Sequence, residues 1–395
     1  MTNQSTDEVA LSKNAMPSGQ QTPSGDVQTT AKNDAKKTRP KFNEITLLKM
    51  LALASVLFFH CYRPFLGEGA FWKVVLETTD ESFSSFFGTL YHFNKVFDVH
   101  CLFFCSGFLY FMTMSGGKRT VGEQLARRVK RIVVPYFSVG LLFTVPLYVL
   151  FHIPSGKLLS TMSLTDAYGL FLTMNFSDHL WFLQIMLLIT VICLLLNFMI
   201  RKYFLVLLAG SLLMTFVFNR VFDGITTMSL VSMSDNLFLF VLGGAVFRYY
   251  RQFTTSLRYP ILAVSGALFF TTFNLTGLAG LAKEINSVAC DASACVFALG
   301  LARFVADGTM NFLYRFRAIQ YYDRNFMGFY MYHMPIPLIC AYHLYPAMRE
   351  LVASDWLYVV AAWLVTILLT AVAVRVASLI KAVCTRAPLI QKLYN

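Results

Sequence analysis

The sequence predicts an all-α, polytopic integral membrane protein with about ten membrane-spanning helices and both termini in the cytoplasm. Three observations carry this. Hydrophobic residues make up 56% of the 395 and charged ones only 14%, against about 25% charged in soluble globular chains. Apolar runs close to the ~20 residues that cross a bilayer recur along the chain. Lys and Arg gather in alternate connecting segments, as the positive-inside rule requires. The formal charge of +12 sits in short loops between apolar runs, so it reads as topology rather than as a nucleic-acid surface.

In chain order, the first ~42 residues are polar and carry no apolar run or cleavable signal, so 1–43 reads as a disordered, basic cytoplasmic tail. Spans follow at about 45–66, 94–114, 132–153, 180–200, 203–222, 236–250, 259–281, 288–306, 325–346 and 356–380, with 236–250 short and 166–176 a partial or re-entrant segment. Residues 384–395 form a short cytoplasmic end. With the N-terminus inside, the outer segments hold only Arg63, Lys73, Lys95, Lys157, Arg220, Lys283 and Arg349 of the 33 Lys and Arg. Many acids, including Glu77, Asp80, Glu81, Glu284 and Asp355, fall on that outer side. The eight cysteines include no C-x-x-C pair. Cys101, Cys105 and Cys193 read as core, and a disulfide between Cys290 and Cys295 is left open.

Ionisable residues inside spans are costly and usually functional. The first span holds Lys49 and, eleven residues on, His60. That spacing is roughly 16 Å along a helix and roughly 20° around it, so both project from one face. A cation toward the cytoplasm can receive an anionic group, and a histidine further out can serve as general base. A snorkelling Lys with an interfacial His is the competing reading. Arg127, Arg128 and Arg131 abut the third span; Arg128 and Arg131 share a helical face suited to a phosphate-rich ligand, although any inner helix end can be basic. On the outer side Asp98 and His100 open the second span, His179 and Trp181 open the fourth, and His60 closes the first. These residues can converge on one vestibule, or His179 and Trp181 can belong to an interfacial belt. No histidine pair has i,i+4 spacing, so no metal site is expected. His333, near mid-depth, is either a buried polar contact or a second wall of the same cavity.

These landmarks, in this order, resemble the acyltransferase family 3 of membrane proteins. Lys49 to His60 resembles the family's cation, ten residues, then His. Phe103-Phe104-Cys105-Ser106-Gly107-Phe108 is similar to its Phe-Phe-x-Ser-Gly-Phe helix. Arg128 to Arg131 before Pro135-Tyr136 is similar to its Arg-x-x-Arg preceding Pro-Tyr. His179-Leu180-Trp181-Phe182-Leu183 matches its His-Leu-Trp-Phe-Leu. The stretch from Asn325 to His333 resembles its late Ser-x-Gly-x-Tyr-Leu-x-His. The resemblance covers 44–337 and implies a ten-helix acyltransferase domain over 44–383. The chain departs from the pattern at Thr46, where the family often has an acid, and at Lys49, where Arg is commoner.

The resemblance implies O-acylation, most often acetylation, of an extracytoplasmic glycan. Cytoplasmic acyl-coenzyme A would be the co-substrate, with no permanently bound cofactor, and the setting would be a bacterial inner or plasma membrane. On that reading Arg127, Arg128 and Arg131 take the coenzyme phosphates and Lys49 lines the inner half of the cavity. His60 is general base or transient acyl carrier. Ser106, beside Gly107, permits close helix packing or, less favoured, is a nucleophile. Asp98, His100, His179, Trp181 and His333 line the acceptor side. The partners would be membrane lipid, acyl-coenzyme A and a glycan, with no nucleic acid. Two other classes stay open: a transporter or translocase of a sugar or lipid-linked sugar, and a sensor with a decayed site. The sequence gives neither the acceptor nor the oligomeric state.

Overall fold

The computed structural model describes residues 42–67, 75–115, 120–155, 157–173, 178–221, 228–351 and 354–384. The expected N-terminal tail up to residue 41, Lys73 in the first outer segment and residues 385–395 lie outside the described residues. Among those described, the chain is helical, with one isolated antiparallel bridge between Ser155 and Leu158.

Besides short helices at Asn197–Lys202 and Tyr250–Thr254, the described residues form α1 (Asn43–Tyr62), α2 (Glu81–Ser115), α3 (Val121–Leu150), α4 (Leu164–Leu172), α5 (Trp181–Leu195), α6 (Phe204–Val221), α7 (Met228–Arg248), α8 (Arg258–Asn274), α9 (Gly280–Leu313), α10 (Arg317–Arg324), α11 (Phe326–Tyr332), α12 (336–351) and α13 (Asp355–Cys384). Among the described residues, five stretches are long and apolar enough to cross a membrane: Asn43–Leu66, Glu81–Met114, Val121–Leu150, Gly280–Leu313 and Asp355–Val383. Trp181–Leu195 and Phe204–Phe218 are shorter apolar helices.

Several boundaries differ from the sequence reading, each for a local reason. The second span was expected from 94, yet α2 starts at Glu81. Asp80 caps that start, accepting the Phe83 amide at 3.0 Å and the Ser82 hydroxyl at 2.6 Å. The polar residues before 94 hid the extension from a hydropathy window. Similarly, α3 begins eleven residues before the expected 132. Thr120 accepts the Glu123 amide at 3.2 Å and Glu123 accepts the Thr120 amide at 3.2 Å, a reciprocal capping box. The described part of the segment at 166–176 falls largely in the short helix α4, capped by Ser163, and 174–176 lie outside the described residues. The expected ninth span breaks after His333 into α11 and α12, because Pro335 and Pro337 cannot continue a helical ladder.

Among the described residues, three π turns interrupt the helices: Val129–Val133, Gly140–Thr144 and Cys340–Leu344. Each ends two residues before a proline, namely Pro135, Pro146 and Pro346. An interior proline clashes with the carbonyl four residues back and leaves it without a donor. A turn widened at that carbonyl relieves the clash, and here the amides of Val134, Val145 and Tyr345 reach back five residues.

The bundle is organised around α2, which packs on α1, α7 and α9; α1 also meets α9 and α13, and α8 lies along α9. The α2–α7 crossing is backbone to backbone. A Cβ on Gly107 would sit 1.8 Å from the Phe240 carbonyl oxygen, and one on Gly243 would sit 2.0 Å from that of Phe104. Small residues allow this approach, which suits helix association in lipid. It places Ser106, half-buried, beside the tightest part of the crossing. Cys290 and Cys295 are both free thiols on α9, and Cys295 lies 3.7 Å from Cys101 of α2.

Candidate active site

Three histidines from three distant parts of the chain meet at helix ends. His60 lies in the last turn of α1, His179 in the short turn leading into α5, and His333 directly after α11. They are 9%, 4% and 0% exposed. The His60 and His333 ring centroids are 5.2 Å apart, and those of His179 and His333 4.9 Å apart. Tyr330 ties the group together. Its carbonyl accepts from His333 Nδ1 at 2.6 Å, and its hydroxyl donates to the His179 carbonyl. His179 Nε2 returns a bond to the Met331 carbonyl at 2.9 Å.

These carbonyl partners fix the tautomers, because a carbonyl oxygen only accepts. His333 carries its proton on Nδ1 and His179 on Nε2. The Nε2 of His333 is buried and has no hydrogen-bond partner among the described residues. The cluster therefore offers an unprotonated, hydrogen-bond-accepting nitrogen in a water-poor setting. Among the described residues, no group of His, Cys, Asp or Glu is arranged to hold a metal ion.

On the same face of α1, about 16 Å further along the axis, Lys49 is held from α10. Its Nζ lies 2.9 Å from Asp323 Oδ1 and 4.9 Å from the Phe326 ring centroid. The Tyr314 hydroxyl donates to the other Asp323 oxygen at 2.5 Å. Tyr322, next to Asp323, donates to the Met50 carbonyl at 3.1 Å and fastens α10 to α1. The Lys49 cation thus has a protein counter-charge.

The other residues singled out from sequence divide clearly. Arg128 is half-buried with its guanidinium 5.2 Å from the Tyr110 ring centroid, while Arg127 and Arg131 are exposed. Arg131 lies within the π turn Val129–Val133, just after Arg128, and the two guanidinium groups interact electrostatically. His100 turns to α9, its Nδ1 3.4 Å from Asp291 Oδ1 and 3.2 Å from the Val96 carbonyl. It lines a polar cavity of about 500 Å³ with Asp235, Lys283 and Glu284. Asp98 is buried and interacts electrostatically with His100 and Arg63. Trp181 is half-buried, its ring 6.4 Å from that of Phe103. So the structure brings together His60, His179 and His333, and turns His100 to Asp291.

Two participants were missed in the sequence. Asp323 lies just before an expected span, where an acid draws no notice. Tyr330 belongs to the quoted late motif, but nothing local assigns it a role. Both act through partners that are remote in sequence.

Five helices among the described residues that are long and apolar enough to cross a membrane define the class, a membrane protein. The chain belongs to the acyltransferase family 3: the family's acyltransferase-domain model matches residues 42–376. The protein is therefore a membrane acyltransferase. No curated protein and no solved structure matches it.

Proposed function

We propose that this protein O-acylates a glycan hydroxyl on the outer face of a bacterial cell membrane, taking the acyl group, most simply acetyl, from cytoplasmic acyl-coenzyme A. The observation that carries the reading is the packing of His60 against His333 at 5.2 Å, at the opposite end of α1 from Lys49. His60 acts as general base. It takes the proton of the acceptor hydroxyl as the oxygen attacks the thioester carbonyl. The C–S bond then breaks and the coenzyme leaves as thiolate, which takes up the proton. His333, with Nδ1–H committed to the Tyr330 carbonyl, presents Nε2 as an acceptor that stabilises the imidazolium at His60. A transient acyl-His60 is the other route consistent with these residues.

The exposed Arg127 and Arg131, with Arg128, receive the coenzyme phosphates at the basic end of α3. Lys49, shared with Asp323, lines the inner part of the path. Trp181 and His179 shape the acceptor side, with Asp98 and His100 further out. The spans number ten, with both termini cytoplasmic, so a through-membrane cavity carries the acyl group without moving the coenzyme. The distribution of Lys and Arg supports that orientation.

The test compares O-acyl groups on surface glycans from cells carrying wild type and His60→Ala, by mass spectrometry at matched membrane expression. Loss of one acyl mass is the expected result and identifies both acyl group and acceptor. Unchanged acylation with well-expressed variant sinks the His60 mechanism, and transport of a sugar then becomes the better reading.

A further inference from the structure

An apolar groove of about 710 Å³ lies between α1, α2, α8 and α9, away from the histidine cluster. Leu51, Phe97, Leu262, Phe269, Phe297 and Phe304 form much of its wall. Ala294, Ala298 and Ala302 line it at four-residue intervals on α9, and their small side chains leave the space open. From Leu262 to Phe273 the groove follows α8 for about 16 Å. That is about half of a ~30 Å hydrocarbon core, the depth of one leaflet.

One end of the groove is cationic. Arg258, the first residue of α8, lays its guanidinium 3.9 Å from the centroid of the Phe304 ring. The side chain is half-buried, its Nε–H finds no acceptor, and it forms no ion pair among the described residues. A helix start also favours an anion.

We propose that this groove is a specific site for an anionic phospholipid, with one acyl chain in the aromatic channel and the phosphate on Arg258. A guanidinium matches phosphate oxygens in a paired geometry, and that contact supplies the acceptor that Nε–H lacks. Among the described residues no carboxylate pairs with Arg258, so its cation is left for the headgroup and the site selects a lipid of net negative charge over a zwitterionic one. Leu47 and Leu51 also line the groove, so a bound chain braces α1, the helix that carries Lys49 and His60. The inference does not depend on the acyl-transfer mechanism.

Native mass spectrometry of the full chain, supplied with equal phosphatidylglycerol and phosphatidylcholine, tests it. Wild type is expected to retain one phosphatidylglycerol with about tenfold preference or more, the scale a charge-assisted contact supports. Arg258→Gln removes that preference. Ala298→Phe fills the groove, leaves Arg258 in place, and also loses the bound lipid. Arg251→Gln, an exposed cation beyond the groove lining, retains it. Equal retention of the two lipids by wild type overturns the proposal without any variant, leaving only annular lipid. Unchanged preference in Arg258→Gln, or in Ala298→Phe should Arg258→Gln not fold, overturns it as well.

Discussion

Replacing Gly107 by alanine adds one methyl group where α2 meets the backbone of α7. The new Cβ would stand 1.8 Å from the Phe240 carbonyl oxygen, whereas ordinary contact begins near 3.4 Å. A carbonyl oxygen in a helix cannot rotate away, so α2 and α7 must separate by over an ångström along a close-packed interface. Overpacking usually costs about 1–3 kcal/mol. A backbone obstacle that forces two helices apart belongs at or above the top of that range. Gly308 provides the opposite case, since nothing lies within 4 Å of its Cβ position on α9. There alanine should stabilise by about 0.5–1 kcal/mol, because glycine is the poorer helix former. The assay is the fraction of protein that remains monodisperse after graded heating in detergent, compared for wild type, Gly107→Ala, Gly243→Ala and Gly308→Ala. The expected order places Gly308→Ala at or above wild type and the other two well below. Wild-type behaviour of both Gly107→Ala and Gly243→Ala would refute the backbone crossing.

Other expectations follow from named contacts. Lys49→Met and Asp323→Asn should each destabilise the protein, and the double variant should cost less than their sum. With both side chains about a fifth exposed, a coupling of about 1–3 kcal/mol is expected, between surface and buried pairs. Additivity within about 0.5 kcal/mol in a double-mutant cycle would remove the ion pair from the account. Tyr330→Phe should leave the buried His179 carbonyl without its donor, at a cost of about 1–3 kcal/mol, and lower glycan acylation; full acylation would dismiss Tyr330 as an organiser of the cluster. Asp80 accepts from Ser82, Phe83 and Trp356, and these bonds hold its carboxyl below the usual carboxylate range. Its contribution is therefore present above the unfolded value of about 3.9 and fades as pH falls through the lower folded value. Asp80→Asn should melt below wild type at pH 6 and converge with it in strong acid; a constant gap across the scan would contradict this.

The sequence by itself determined the class of this protein and much of its family signature. Hydropathy is summed over neighbours along the chain, and basic flanks mark helix ends locally, so an apolar helical bundle follows without knowing any contact. The periodicity of one helix likewise put Lys49 and His60 on a common face. Partners that arrive from distant helices leave no such local trace. His60, His179 and His333 lie far apart in the chain and come together only because the ends of α1 and α11 lie near the start of α5. His100 stands on the same helix as Asp98, but the chain alone does not reveal that it turns to Asp291. Thr46 stands where the family often has an acid, and the counter-charge to Lys49 arrives instead from α10 through Asp323. Tertiary structure decided these points, since the free energy of a charge or imidazole inside a membrane depends on the groups packed around it, and packing between distant helices has no local signal.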